Sequence, residues 1–146
     1  MAHTYHLSFI RRAVNVVFHA LLKAGLVPGS TYLLTTRGRK NGQLHSTPVI
    51  LVERDGQRWL VAPYGAVPWV LNARSAGEVT LSRGRQSETI RIEEADAATS
   101  APILKIYLTH VPVVRPFFDV QPTSSLEAFV AEAPRHPVFR LGGLAN

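Results

Sequence analysis

Read for its alternation of apolar and polar positions, the chain divides into a helical start, a central block of short strands and a helix-rich end. From Ser8 to Lys23, Ile10, Val14, Val17 and Leu21 recur at helical spacing. Ser8 can cap that segment, and Gly25 and Pro28 end it. Strands are expected at about Thr31–Thr36, Leu44–Glu53 and Arg58–Ala62. Asn41-Gly42 and Asp55-Gly56 stand between them as the positive-φ pairs that two-residue hairpins favour. The segment Ala66–Ala76 reads as a short helix, with Pro68 in its first turn and Gly77 past its end. Strands at Val79–Ser82 and Gln86–Glu93 flank an Arg83-Gly84-Arg85 turn, and Ile90 and Ile92 share one face of the second. A helix opens at Asp96 or Thr99 and runs to about His110, with Pro102 in its first turn and Ala101, Leu104, Leu108 and Val111 as its stripe. Ser124-Ser125-Leu126-Glu127 resembles a capping box, and HPVFRL is either a last strand or an extended cover. Five strands in antiparallel hairpins with helices at the ends predict a small α+β barrel. The chain is expected to be one domain: a helix over 1–26, a barrel core over 30–94, and a helix with a C-terminal cover over 95–146.

Charge changes this picture most. The net charge is +6, and no Asp or Glu precedes Glu53, whereas Arg11, Arg12, Lys23, Arg37, Arg39 and Lys40 do. The ten basic residues that follow balance ten acidic ones, so the whole excess lies in the first third. Such asymmetry points to an anionic partner: a phosphorylated or polycarboxylate cofactor, nucleic acid or an anionic membrane surface. Nucleic acid is disfavoured, because no aromatic residues interleave the Arg37–Lys40 cluster as stacking platforms require. The first helix has a broad apolar face, which favours packing on the barrel; peripheral membrane contact through it is the alternative. No signal-peptide pattern or spanning apolar run is evident, so a cytoplasmic protein, with membrane association as the alternative, is expected.

Chemistry is narrowed by what is missing. There is no Cys, which excludes disulfides, thiolate metal sites and cysteine nucleophiles. No dinucleotide fingerprint, P-loop or nucleophile elbow occurs. His3 and His6 lack a third ligand nearby, and no metal site is expected. The remaining concentration of chemistry is the first turn, where Arg37, Arg39 and Lys40 crowd together and Gly38 and Gly42 let backbone N–H groups approach an oxyanion.

The runs TTRGRKNGQLHSTPVILV, WLVAPYG and PWVLN, followed by RPFFDV and APRHPVFRL, closely resemble the deazaflavin-dependent nitroreductase/oxidoreductase family over Tyr32 to about Leu141. The resemblance implies a split β-barrel of the flavin-binding-barrel kind, mostly antiparallel with flanking helices. It implies coenzyme F-420, an 8-hydroxy-5-deazaflavin, as cofactor, with FMN less favoured. By similarity, Arg39, Lys40 and Asn41 would hold the phosphate and oligoglutamate side, and His45, Ser46, Thr47, Pro48, Val49 and Ile50 would pass beside the ring system. Val61, Ala62, Pro63 and Tyr64 would present backbone groups to the ring. Pro68, Trp69, Val70, Leu71 and Asn72 would close over it. The implied reaction is hydride transfer between the deazaflavin and a small electron-poor acceptor, an enone, quinone or nitro compound. Tyr64 is the first candidate for the proton donor, beside Tyr107, His45 and solvent. Phe117, Phe118 and Phe139 are expected to wall the acceptor pocket. A carrier that binds deazaflavin or flavin without turnover is the rival reading, and the oligomeric state is left open.

Overall fold

The computed structural model describes residues 31–142; the expected N-terminal helix lies outside them. The described residues form strands β1 (Thr31–Arg37), β2 (Leu44–Arg54) and β3 (Gln57–Val61), then helix α1 (Pro68–Ala76). Strands β4 (Glu78–Arg83) and β5 (Gln86–Glu94) follow, then α2 (Ala97–His110), a 3-10 turn at Pro112–Phe117, and α3 (Leu126–Glu132). A second 3-10 turn at Ala133–Arg135 leads into β6 (Val138–Leu141).

The strands close a barrel in the order β1-β2-β3-β6-β5-β4, and the neighbours pair antiparallel. Two long strands turn its corners. In β2, Leu44–Ile50 pair with β1 and Leu51–Arg54 with β3. In β5, Gln86–Arg91 pair with β4 and Ile92–Glu94 with β6. The HPVFRL segment is therefore a sixth strand rather than a loose cover. It joins β3 to β5 through Leu60↔Phe139 and Ile92↔Leu141, satisfying two edges that would otherwise stay open.

Period-two alternation sends successive residues to opposite sides of the barrel wall. Leu34, Leu51, Leu60, Leu81 and Phe139 fill the interior, which Val70 and Ala73 of α1 close. Val52, Val61 and Val138 point the other way, into a second core roofed by α2 and the tail. The stripe Ala101, Leu104, Leu108 and Val111 is wholly buried there. Removing each such Leu or Val from water stabilises the fold by about 1.5–3 kcal/mol. The region around β2, β3 and β6 is thus buried on both faces, and both cores meet at the 62–67 loop that precedes α1.

Of four local expectations, one is met and three are settled differently in detail. Asp55 and Gly56 both adopt positive φ between the paired Arg54 and Gln57, as the two-residue turn requires. Asn41-Gly42 does not make such a turn: β1 ends at Arg37, β2 starts at Leu44, and of the pair only Gly42 has positive φ. The Asn41 side chain instead folds back on the Gln43 N–H, which holds a longer turn together. Asp96 is the cap of α2, its carboxylate accepting from Thr99 N, so Pro102 falls in the second turn. The carbonyl left without its helical partner there belongs to Ala98, which is exposed and open to water. Ser125, not Ser124, caps α3 by accepting from Ala128 N, and Glu127 sits inside the first turn without closing a reciprocal box.

Candidate functional site

The cationic turn is a closed hydrogen-bonded unit. Gly38 N donates to Gln43 O at 2.7 Å, Gly42 N to Gly38 O at 3.1 Å, and Arg37 Nη1 to Gly42 O at 2.9 Å. A Cβ on Gly38 would stand 2.8 Å from Asn41 Oδ1 and 3.3 Å from Gln43 O, so a side chain there would push the Asn41 amide off the Gln43 N–H. The same point lies 3.4 Å from His45 Nε2, which puts the His45 ring against the base of the turn. Arg37 is thus occupied in holding the turn, whereas Lys40 and His45 are exposed and make no hydrogen bond or ion pair with other described residues.

Arg39 ties the turn to α1. Its Nη1 donates to Asn72 Oδ1 at 2.7 Å and to Pro68 O at 3.4 Å, and its backbone N donates to the same Oδ1 at 3.3 Å. Asn72 is 4% exposed and its Nδ2 reaches Thr36 Oγ1 at 3.4 Å. The structure therefore brings Arg39, Pro68 and Asn72 together, but with the Asn72 amide turned into a strap between β1, the turn and α1. At the start of α1, Pro68 has no N–H and Val70 N is bonded to Val67 O, so among the described residues Trp69 N is the donor of that end without a partner.

The β2 residues expected beside the ring system split between the two faces. His45, Thr47 and Val49 pair with Thr36, Leu34 and Tyr32 on the inner side. Ser46, Pro48 and Ile50 lie on the outer side, and Ile50 packs against the core beneath α2. A flat ligand on this strand meets one set, not both. Val61, Ala62 and Val70 are buried and back the site rather than line it, whereas Leu71 is 37% exposed. Trp69 is half-buried with its ring 6.2 Å from that of Phe139 inside the barrel.

Tyr64 sits where the two cores meet and packs against both. Its ring stands edge-on to Phe117, centroids 4.7 Å apart at 79°. Burial pushes its phenol up to about 12, so it stays protonated at any ordinary pH. Tyr107 is more deeply buried, and desolvation, helped by nearby Tyr64, pushes its phenol higher still. Of the three candidate donors, Tyr64 alone is a half-buried residue on the loop between the cores. Of the expected aromatic wall, Phe117 and Phe118 belong to the outer core and Phe139 to the barrel interior.

The sequence reading missed Glu132 and His136. Both are buried, at 5% and 3% exposure. His136 Nδ1 lies 2.7 Å from Pro63 O, and Nε2 lies 2.7 Å from Glu132 Oε2. Phe118 stacks on the imidazole, centroids 3.7 Å apart at 12°. Burial, the largest influence, lowers the His136 pKa, while the Glu132 carboxylate and the Pro63 carbonyl push it back up. A Glu four residues ahead of a His in the apolar EAPRHPVF run was the available signal, but the third partner lies 73 positions away. An open depression of about 510 Å³ over α2, lined by Arg54, Lys105, Ile106 and His110 among others, shares no residue with these groups.

Residues 11–119 match the model of a family described as F420H(2)-dependent quinone reductase. The chain belongs to that family. It is accordingly a reductase dependent on reduced coenzyme F-420. No curated protein matches it. Among solved structures, one described as an F420-H2 dependent reductase is 21% identical, with 77% of this chain and 94% of that chain covered at a TM-score of 0.51. A NimC/NimA family protein from Clostridium acetobutylicum is 14% identical, covering 88% and 84% at 0.52. A chain described as a domain-swapped dimer is 19% identical, covering 92% and 97% at 0.53. At these identities the structures share the fold with this quinone reductase family member. The α+β barrel expected from the sequence is what they have in common with it.

Proposed function

We propose that this reductase holds coenzyme F-420 along the outer face of β2, with its anionic tail at the 38–43 turn and its ring near Tyr64, and reduces a quinone. The supporting observation is the donor set of the turn. Lys40 presents an ammonium group that no described residue engages, beside an exposed His45, whereas the Gly38 and Gly42 N–H groups are taken up by the turn's own hydrogen bonds. The Lys40 and His45 side chains fit a phosphate and carboxylate tail. Arg39, strapped to Asn72, would reach the tail with its remaining N–H groups and arrive already oriented. Bound there, the reduced deazaflavin supplies the hydride.

The chain's own residues supply position and a proton-bearing group. Ser46, Pro48 and Ile50 offer a flat, uncharged outer strand face for a ring. Tyr64 offers an O–H that can hydrogen-bond to a quinone oxygen as negative charge develops on it. The same burial that keeps this phenol protonated makes it reluctant to release its proton outright, so the final proton comes from solvent. Enone and nitro acceptors present an oxygen to the same donor and are the alternatives to quinone. None of the helices among the described residues is long and apolar enough to cross a membrane, and the cytoplasm is the compartment this reading takes.

Steady-state reduction of a soluble quinone with the reduced deazaflavin, compared with NADPH and reduced FMN, tests the reading. Turnover with the deazaflavin alone is expected, and Tyr64→Phe should lower kcat more than it raises KM. Turnover with NADPH or reduced FMN as well, or Tyr64→Phe indistinguishable from the unaltered protein, would contradict it.

A further inference from the structure

The Glu132–His136 pair is the most completely built polar feature of the described chain that the proposed chemistry does not use. Buried polar groups persist where each finds a partner, and here both ring nitrogens face oxygen. A carbonyl only accepts, so the 2.7 Å contact to Pro63 O places an N–H on Nδ1. The second 2.7 Å contact, between Nε2 and Glu132 Oε2, needs a proton between them as well. That proton rests on the imidazole or on the carboxyl group, and either arrangement leaves the pair neutral overall. Glu132 Oε2 also accepts the backbone N–H of Asp119 at 3.2 Å, and Arg135 Nη1 stands 3.6 Å from it while pairing with Asp119. Phe118 covers one ring face. The titratable and charged groups around the imidazole are thus Glu132, Arg135 and Asp119.

What the imidazole holds is the peptide of Pro63, the residue before Tyr64. The loop there has few other ties: Gly65 N to Ala62 O at 3.3 Å, Val67 N to Gly65 O at 2.8 Å, and Ala62 N to Pro137 O at 2.8 Å. The last of these joins the loop to the residue after His136, so the 132–137 segment grips both ends of the Ala62-Pro63 unit. We propose that His136, held in place by Glu132, is a positioning residue that fixes the Pro63 carbonyl and through it aims the Tyr64 hydroxyl into the acceptor site. This rests on the reading of Tyr64 given above. The pair also links the tail, through Phe118 and Asp119, to the loop that separates the two cores.

Two substitutions separate the contacts. Asparagine can place an N–H where Nδ1 stands and leave Glu132 unmet; glutamine reaches toward Glu132 and abandons Pro63. His136→Gln is expected to lower kcat for quinone reduction by about tenfold or more, the effect of losing one orienting contact. His136→Asn should recover most of that loss. KM for the deazaflavin should change little in both, because the turn is untouched. Equal activity in the two variants and the unaltered protein overturns the proposal. So does an equal loss in both that tracks the fall in thermal midpoint, since that is what a purely structural role would give.

Nitrogen NMR of the unaltered protein carries the test if either variant fails to fold. The His136 ring should show a protonated Nδ1, with Nε2 either protonated or accepting a proton from the Glu132 carboxyl group. A lone pair on Nδ1 overturns the assignment without reference to activity. A protein that binds no deazaflavin yet shows the expected His136 spectrum would sink the functional reading and leave the Pro63 anchor standing.

Discussion

Replacing Asn72 with Ala removes the strap at its centre. The 2.7 Å bond from the Arg39 guanidinium to Asn72 Oδ1 is charge-assisted, a class that contributes about 1.5–3 kcal/mol. The 3.3 Å bond from Arg39 N and the 3.4 Å bond to Thr36 Oγ1 are long and add less. Because Thr36 is itself buried, its hydroxyl loses a partner it cannot replace from bulk water. The expected total is about 2–4 kcal/mol. At roughly 2–4 °C per kcal/mol for a chain near this size, the thermal midpoint should fall by about 5–15 °C. Arg39→Ala should fall by less, because it leaves the Asn72–Thr36 contact in place. In a double-mutant cycle the two should couple by about 1–2 kcal/mol. Denaturant melts of the two single variants and the double variant supply the numbers. An unchanged midpoint for Asn72→Ala, or effects of the two changes that simply add, would refute the strap and return Asn72 to the role of direct ligand.

Two other outcomes follow from the same structure. The Tyr64 phenol is raised above its ordinary value, so the protonated form is the one the fold stabilises; that stability is whole below about pH 10 and lost as pH climbs toward 12. The kcat profile should accordingly show no Tyr64 inflection below pH 10, and a stopped-flow pH series that finds one near neutrality would remove Tyr64 from the donor role. Phe139→Ala empties the barrel centre where β6 meets Trp69, and should cost about 3–5 kcal/mol in a denaturant melt; a loss below about 1 kcal/mol would mean that β6 does not close the barrel.

How far the sequence could be read depended on whether the deciding interaction was local. Asp55-Gly56, the Pro68 start of α1 and its Gly77 stop are turn and cap chemistry confined to a few residues, and the structure keeps all three. The Asn41-Gly42 turn misled because an Asn side chain can satisfy the backbone two residues on as well as adopt positive φ, and here it does the first. HPVFRL stayed ambiguous because its four strand residues, Val138–Leu141, are too few to show a period, and its strand character is conferred by β3 and β5 on either side. The β2 run was legible as a strand, but its alternation means that only half of those residues face any one ligand. The role of Glu132 and His136 was illegible beyond their i, i+4 spacing for a different reason: their third partner is a backbone carbonyl, which leaves no trace in residue identity.

The central claim is that Lys40, a cation on the first turn that no described residue engages, receives the tail of coenzyme F-420. Titrating the protein and its Lys40→Ala variant with the deazaflavin and with FMN, at low and high ionic strength, tests it most directly. The account predicts tighter binding of the deazaflavin than of FMN, a loss of about tenfold or more in Lys40→Ala at low salt with no change in thermal midpoint, and a gap that narrows as salt rises. Deazaflavin binding that is as tight in Lys40→Ala as in the unaltered protein at low ionic strength, or FMN binding equal to or tighter than that of the deazaflavin, would contradict it.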